Sequence, residues 1–196
     1  MKFNTMLNIE KNFDEILGGG ILEKCLTQIY GPPASGKTNL CIIAAVYVAL
    51  KEKKIIFIDT EGGFSVGIEK MVNEKIGLVV VDSITMLYRL EEADSIDKRQ
   101  ERQILLGKQL EILLRISRKF NIPVIITNQV YTDIETNEIS PVGGEILKYW
   151  SKVIVELGRE NLNSTNRFAV MKKHKFIKEG EKILFKIVEE GIVVEK

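Results

Sequence analysis

The sequence predicts an α/β fold in which a mostly parallel sheet carries helices on both faces and ends in an antiparallel C-terminal edge. Three observations carry this expectation. Apolar, β-rich runs at Leu26–Tyr30, Lys54–Asp59, Gly77–Asp82, Ile122–Asn128 and Ser151–Leu157 lack polar alternation, as strands covered on both faces do. Helical stretches at Lys37–Glu52, Ile68–Lys75 and Lys98–Phe120 are interspersed with them, a rhythm that calls for crossovers and parallel neighbours. After Gly158 the chain changes to short pieces, Arg167–Met171, Lys182–Val188 and Ile192–Val194, divided by Lys-, Glu- and Gly-bearing turns.

The first strand, Leu26–Tyr30, runs into Gly31-Pro32-Pro33-Ala34-Ser35-Gly36-Lys37-Thr38, which matches the P-loop pattern GxxxxGK[ST] between a strand and a helix. Its glycines let backbone N–H groups turn inward around phosphate oxygens, and the helix that opens at Lys37 adds its positive end. In this reading Gly31 to Asn39 bind ATP, Lys37 reaches the β- and γ-phosphates, and Thr38 offers its hydroxyl to Mg2+. The second strand ends in two carboxylates, Asp59 and Glu61, at the sheet edge where open α/β folds bind ligands. Glu61 there is a candidate general base for a water that attacks the γ-phosphate, with a solvated turn as the alternative. The third strand closes on Asp82, either a second ligand to the Mg2+ shell or a cap of the following turn. The fourth brings Asn128 and Gln129 to the same edge, and Gln129 is a candidate sensor of the γ-phosphate, with ordinary strand-end capping as its alternative. In the last long helix the apolar positions are Ile104, Leu105, Leu110, Ile112, Leu113, Leu114 and Ile116.

Composition bounds the rest. With 196 residues and 45% hydrophobic content the chain can bury a sizeable core and leaves little room beyond one domain. A net charge of +1 supplies no global field toward nucleic acid or membrane, so such contacts require a local patch. The densest patch is Arg167, Lys172, Lys173, His174, Lys175 and Lys178, with Phe168 and Phe176 near in sequence. It is the candidate DNA-binding segment, sequence-blind and salt-sensitive, and the alternative is a Lys-rich hairpin that protects an edge strand. Cys25 and Cys41 form neither a zinc motif nor a disulfide scaffold, Leu40–Leu50 is too short to cross a bilayer, and Met1–Phe13 lacks signal-peptide anatomy. A cytoplasmic protein is expected.

These blocks, in this order, resemble the RecA-like recombinase family, and within it the archaeal paralogues of the RadA recombinase. The likeness spans Phe13–Gly20, the P-loop, Ile58–Phe64, Val80–Arg89, Ile125–Val130, and Pro141–Gly144 through Glu156–Arg159. It implies a RecA-like P-loop NTPase core over residues 1–196, without a separate N-terminal DNA-binding domain. It also implies catalytic roles for Lys37, Glu61 and Gln129, metal roles for Thr38 and Asp82, and ATP with Mg2+ as cofactors. Single-stranded or branched DNA, the RadA recombinase and other recombination proteins are the implied partners, in an accessory role in homologous recombination and repair. A non-hydrolysing, ATP-bound interaction module and a signalling ATPase without DNA are the rival readings. Two departures shape the expectation. The loop that grips DNA in recombinases reads Val130-Tyr131-Thr132-Asp133-Ile134-Glu135-Thr136-Asn137-Glu138, with three acids and no base, and no Phe-x-x-Ala polymerisation element is found. Strand exchange is therefore not expected. In addition, the interval from Phe64 to Leu78 has room for one short helix where the family core places another strand with flanking helices.

Overall fold

A computed structural model describes residues 6–60, 75–85, 96–132, 139–161 and 164–195. In chain order the elements are β1 (Met6–Leu7), α1 (Lys11–Ile16), β2 (Ile21–Leu22), β3 (Leu26–Tyr30), α2 (Lys37–Leu50), β4 (Lys54–Asp59) and β5 (Ile76–Asp82). They continue with α3 (Ile96–Phe120), β6 (Val124–Asn128), β7 (Val130–Thr132), β8 (Ile139–Pro141), α4 (Gly144–Trp150), β9 (Ser151–Arg159), β10 (Asn166–Lys173), β11 (Lys182–Val188) and β12 (Gly191–Glu195). The expected helix at Ile68–Lys75 falls almost wholly outside the described residues.

Eight strands form one sheet in the order β12-β11-β10-β9-β3-β6-β5-β4. From β9 to β4 neighbours run parallel, and from β9 to β12 they run antiparallel, so the C-terminal pieces close the sheet as the sequence rhythm predicts. Alternation along β5 shows why the central strands carry no polar face. Leu78 and Val80 enter a core with Leu40, Cys41, Ala44 and Val48 of α2, while Val79 and Val81 enter a second core with Leu106, Leu110 and Leu113 of α3. The outermost parallel strand differs: β4 lies at the edge, and its burial alternates instead of being complete. The N-terminal segment is drawn into the first core through Phe13, Ile16 and Leu17. Its helix α1 is capped by Glu10, whose carboxylate accepts from the backbone N–H of Asn12 and Phe13.

The seam of α3 departs from the expected set. Leu110, Leu113, Leu114 and Ile116 are buried, joined by Leu106 and Ser117, but Ile104 is 59% exposed, Leu105 56% and Ile112 37%. The helix turns only one stripe toward the sheet, and residues 104, 105 and 112 lie off it. Both cysteines are buried free thiols, and burial pushes Cys25 up to about 12, which makes it unreactive at neutral pH. No helix among the described residues is long and apolar enough to cross a membrane.

Candidate functional site

Strand β3 delivers the P-loop at the C-terminal edge of the parallel strands, and packing explains its glycines. A Cβ on Gly31 would lie 2.2 Å from the Leu157 carbonyl oxygen of β9, so only glycine lets the loop turn off the strand there. Gly36 has φ +101° as the residue preceding α2, and a Cβ on it would meet Ile187 and Arg167 at 2.8 and 3.3 Å. Lys37 folds back along the loop, its Nζ donating to the carbonyls of Gly31 at 2.8 Å and Pro32 at 3.0 Å. Burial lowers its pKa, and the Asp82 charge opposes that effect. The Ser35 hydroxyl is buried without a hydrogen-bond partner among the described residues.

Thr38 and Asp82 meet as the two motifs require. The Thr38 hydroxyl donates to Asp82 Oδ2 at 2.6 Å, and the Thr127 hydroxyl donates to the other carboxylate oxygen, Oδ1. A hydroxyl and a carboxylate oxygen in contact beside a lysine are hard oxygen donors of the kind Mg2+ takes, so the residues present fit that ion with ATP phosphates. The end of β5 is tied to the end of β4 through Thr60, which accepts from Ser83 N–H at 2.9 Å and donates to the Ser83 carbonyl at 2.7 Å. Around these groups lies a cavity of about 470 Å³ whose walls include Gly31, Ala34, Lys37, Thr38, Asp59, Asp82, Ser83 and Gln129. Gln129 therefore stands on the same cavity as Lys37 and Asp82, and its carbonyl receives Val142 N–H at 3.0 Å, which ties the start of the β7–β8 hairpin to its end. Asn128, its neighbour, accepts from the Thr85 hydroxyl and donates to the Val142 carbonyl. Glu61 lies outside the described residues. Thr127 and Thr60 are site residues that sequence reading missed; Thr127 stands inside the quoted Ile125–Val130 run, but nothing in that run marks a hydroxyl that reaches another strand's aspartate.

The basic segment does not form one patch. Arg167 packs against Gly36 at the P-loop end of β10, opposite Arg159 on β9, while Lys173 stands six residues away, or about 20 Å along the strand. Lys172 is paired with Glu156 at 3.2 Å, and Glu156 also accepts from the Tyr30 hydroxyl at 2.9 Å. Lys173 donates to the carbonyls of Lys148 and Ser151 at 2.6 and 2.9 Å. His174 adds no charge to the segment at neutral pH: its Nδ1 accepts from the N–H groups of Phe176 and Ile177, and burial lowers its pKa. Lys175 and Lys178 are exposed in the turn that follows, with Lys175 over the Phe176 ring.

The Rad51 family model matches residues 4–68 and 65–195. The chain belongs to the Rad51 family. Within the family it is similar to archaeal RadB proteins. The DNA repair and recombination protein RadB of Methanococcus maripaludis is 36% identical over 213 residues, covering 92% of this chain and 96% of that protein. RadB of Thermococcus sibiricus is 38% identical over 219 residues, covering 93% and 92%. A crystal structure of the RadB recombinase superposes with a TM-score of 0.74 at 35% identity, covering 95% of this chain and 98% of that one. The two matched pieces of the family model meet at residues 65–68, and the alignments are longer than the 196 residues of this chain.

Proposed function

We propose that the chain is an accessory protein of homologous recombination and DNA repair that binds ATP with Mg2+, hydrolyses it slowly, binds DNA without sequence preference and does not itself carry out strand exchange. Family membership and the names of the RadB relatives support the repair role. One observation carries the nucleotide reading: the 2.6 Å bond from Thr38 to Asp82, beside Lys37 on a P-loop. When bound, Mg2+ neutralises phosphate charge and orients the γ-phosphate. The ammonium of Lys37 would exchange its two loop carbonyls for β- and γ-phosphate oxygens, and Thr38 and Asp82 would hold the metal. Gln129, on the wall of the same cavity, would donate its amide to the γ-phosphate, and Glu61 would orient the attacking water. RadA and other recombination proteins are the proposed partners.

Asp82→Ala is expected to remove the Mg2+ dependence of ATP binding and to leave the circular dichroism spectrum unchanged, because the carboxylate contacts hydroxyls at the cavity and not the core. Calorimetric titrations in Mg2+ and in EDTA make the comparison, and an undiminished Mg2+ effect would refute the assignment.

Hydrolysis is expected to be slow and not stimulated by DNA. An acidic segment stands where recombinases grip DNA, and without a neighbouring subunit no cation completes the site in trans, a contribution that can reach ~10³ in rate. Phosphate release with and without single-stranded DNA tests this, and strong stimulation would overturn it. Glu61→Gln should abolish what turnover there is; unchanged turnover would leave a nucleotide-bound interaction module as the better account.

A further inference from the structure

Thr127 stands on β6 beside Asp82 of β5, one step past the paired residues Val81 and Ile126. It is fully buried, and Ile125, which faces the same side of the sheet two residues earlier, belongs to the apolar core beneath α2. A hydroxyl at that position replaces apolar packing with a hydrogen bond, and the bond goes to Asp82 Oδ1. The other carboxylate oxygen, Oδ2, takes the Thr38 hydroxyl at 2.6 Å. Each oxygen thus has its own hydroxyl, and the plane of the carboxylate is fixed. The turn after β5 keeps its shape by other bonds. The Asp82 carbonyl accepts from Thr60 N–H at 2.9 Å, the Thr60 hydroxyl holds both main-chain groups of Ser83, and Ile84 N–H donates to the Thr127 carbonyl at 3.0 Å. None of these uses Thr127 Oγ1, so the hydroxyl acts on the carboxylate alone.

We infer that Thr127 is a positioning residue for the metal: its hydroxyl holds Oδ1 of Asp82 so that Oδ2 stays turned toward Thr38 and the Mg2+ shell. The inference rests on the Mg2+–nucleotide reading above and adds a residue to it. Mg2+ demands near-ideal octahedral geometry, so its affinity depends on ligands that are oriented before the ion arrives. A carboxylate free to rotate has to be ordered on binding, which costs side-chain entropy. It can also swing its charge toward the Lys37 ammonium on the wall of the same cavity and compete there with phosphate oxygens. In the structure Lys37 instead bonds the carbonyls of Gly31 and Pro32. The Thr127 hydroxyl removes both losses at once. Hydrogen-bond partners that orient a ligating side chain in this way carry about 10–100-fold of metal affinity.

The test uses Thr127→Val, which keeps the branched shape and strips the hydroxyl. Calorimetric titration with ATP, in Mg2+ and in EDTA, separates the metal-dependent part of binding from the rest. Mn2+ added with ATP, its free fraction followed by electron paramagnetic resonance, gives the metal affinity itself. The variant is expected to bind Mn2+ about 10–100-fold more weakly, to lose a corresponding share of its ATP affinity in Mg2+, and to keep its ATP affinity in EDTA. Thr127→Ser retains a hydroxyl and should restore the metal affinity. Thr27→Val on the adjoining strand β3 is the control: its buried hydroxyl has no hydrogen-bond partner among the described residues, so its loss should leave metal affinity unchanged. Unchanged Mn2+ affinity in Thr127→Val, or no rescue by Thr127→Ser, would overturn the inference. So would an equal loss of ATP affinity in Mg2+ and in EDTA, or a Thr127→Val chain that does not fold, since either makes the hydroxyl a bond of the fold and not of the site. An unsubstituted chain whose ATP binding ignores Mg2+ would overturn the metal reading itself, and the inference with it.

Discussion

Replacing Lys37 by alanine is expected to lower ATP affinity by ~10²-fold or more, the largest effect of any single change at the site. In the structure the ammonium is already desolvated and bound to the carbonyls of Gly31 and Pro32 at 2.8 and 3.0 Å. It therefore exchanges one set of acceptors for another when phosphates arrive, and the new set carries full negative charge, which makes the exchange strongly favourable. Alanine leaves the loop only N–H groups and the metal to meet that charge. Isothermal titration with ATP and Mg2+ measures the loss, and an unchanged affinity would refute the role given to the P-loop.

Gly31→Ala is expected to destabilise the fold by ~1–3 kcal/mol, or roughly 2–10 °C in melting temperature, and to impair nucleotide binding as well. The added Cβ would sit 2.2 Å from a backbone oxygen of β9 and 2.9 Å from the Ser35 hydroxyl. A strand carbonyl cannot rotate away as a side chain can, so β3 and β9 must move apart at their ends. Gly107→Ala is the informative control. Its Cβ would meet only the Ile146 side chain at 3.4 Å, within helix α3, where alanine is worth ~0.5–1 kcal/mol over glycine. The same chemical change should thus lower the melting temperature at residue 31 and raise it at residue 107. A scan in which both variants shift in the same direction would refute the packing assigned to one of them.

The parallel strands and the phosphate loop were legible because they depend on local chemistry: uninterrupted apolar runs for buried strands, and a spacing of glycines and lysine that few other structures need. Asp82 was legible for the same reason, as an acid that ends such a run. What the sequence could not display were contacts between distant residues. Glu156 joins Tyr30 and Lys172 across the sheet, and no window of sequence contains all three. Arg167 and Lys172 look like neighbours in the sequence, yet an extended strand places five residues about 17 Å apart, so one basic segment serves two ends of the molecule. Short elements were hidden too. The β7–β8 hairpin pairs only three residues on each side, and α4 opens at a glycine, which weakens any helical signal.

The place of β3 between β6 and β9 has a consequence for how the protein is made. A ribosome that has released residues 1–60 has synthesised the entire P-loop, but neither strand that flanks β3 in the finished sheet yet exists. The partner of Leu26 on one side is Val124 and on the other Ser151, so the nascent chain must wait for most of its length before the loop can be clamped against Leu157. At ~5–20 residues per second this is an interval of roughly 5–20 s in which an apolar strand is synthesised without its neighbours. Long-range parallel pairing of this kind makes for slow folding and exposes the growing chain to aggregation. The C-terminal antiparallel strands, by contrast, join by short hairpins and can assemble locally as soon as they emerge.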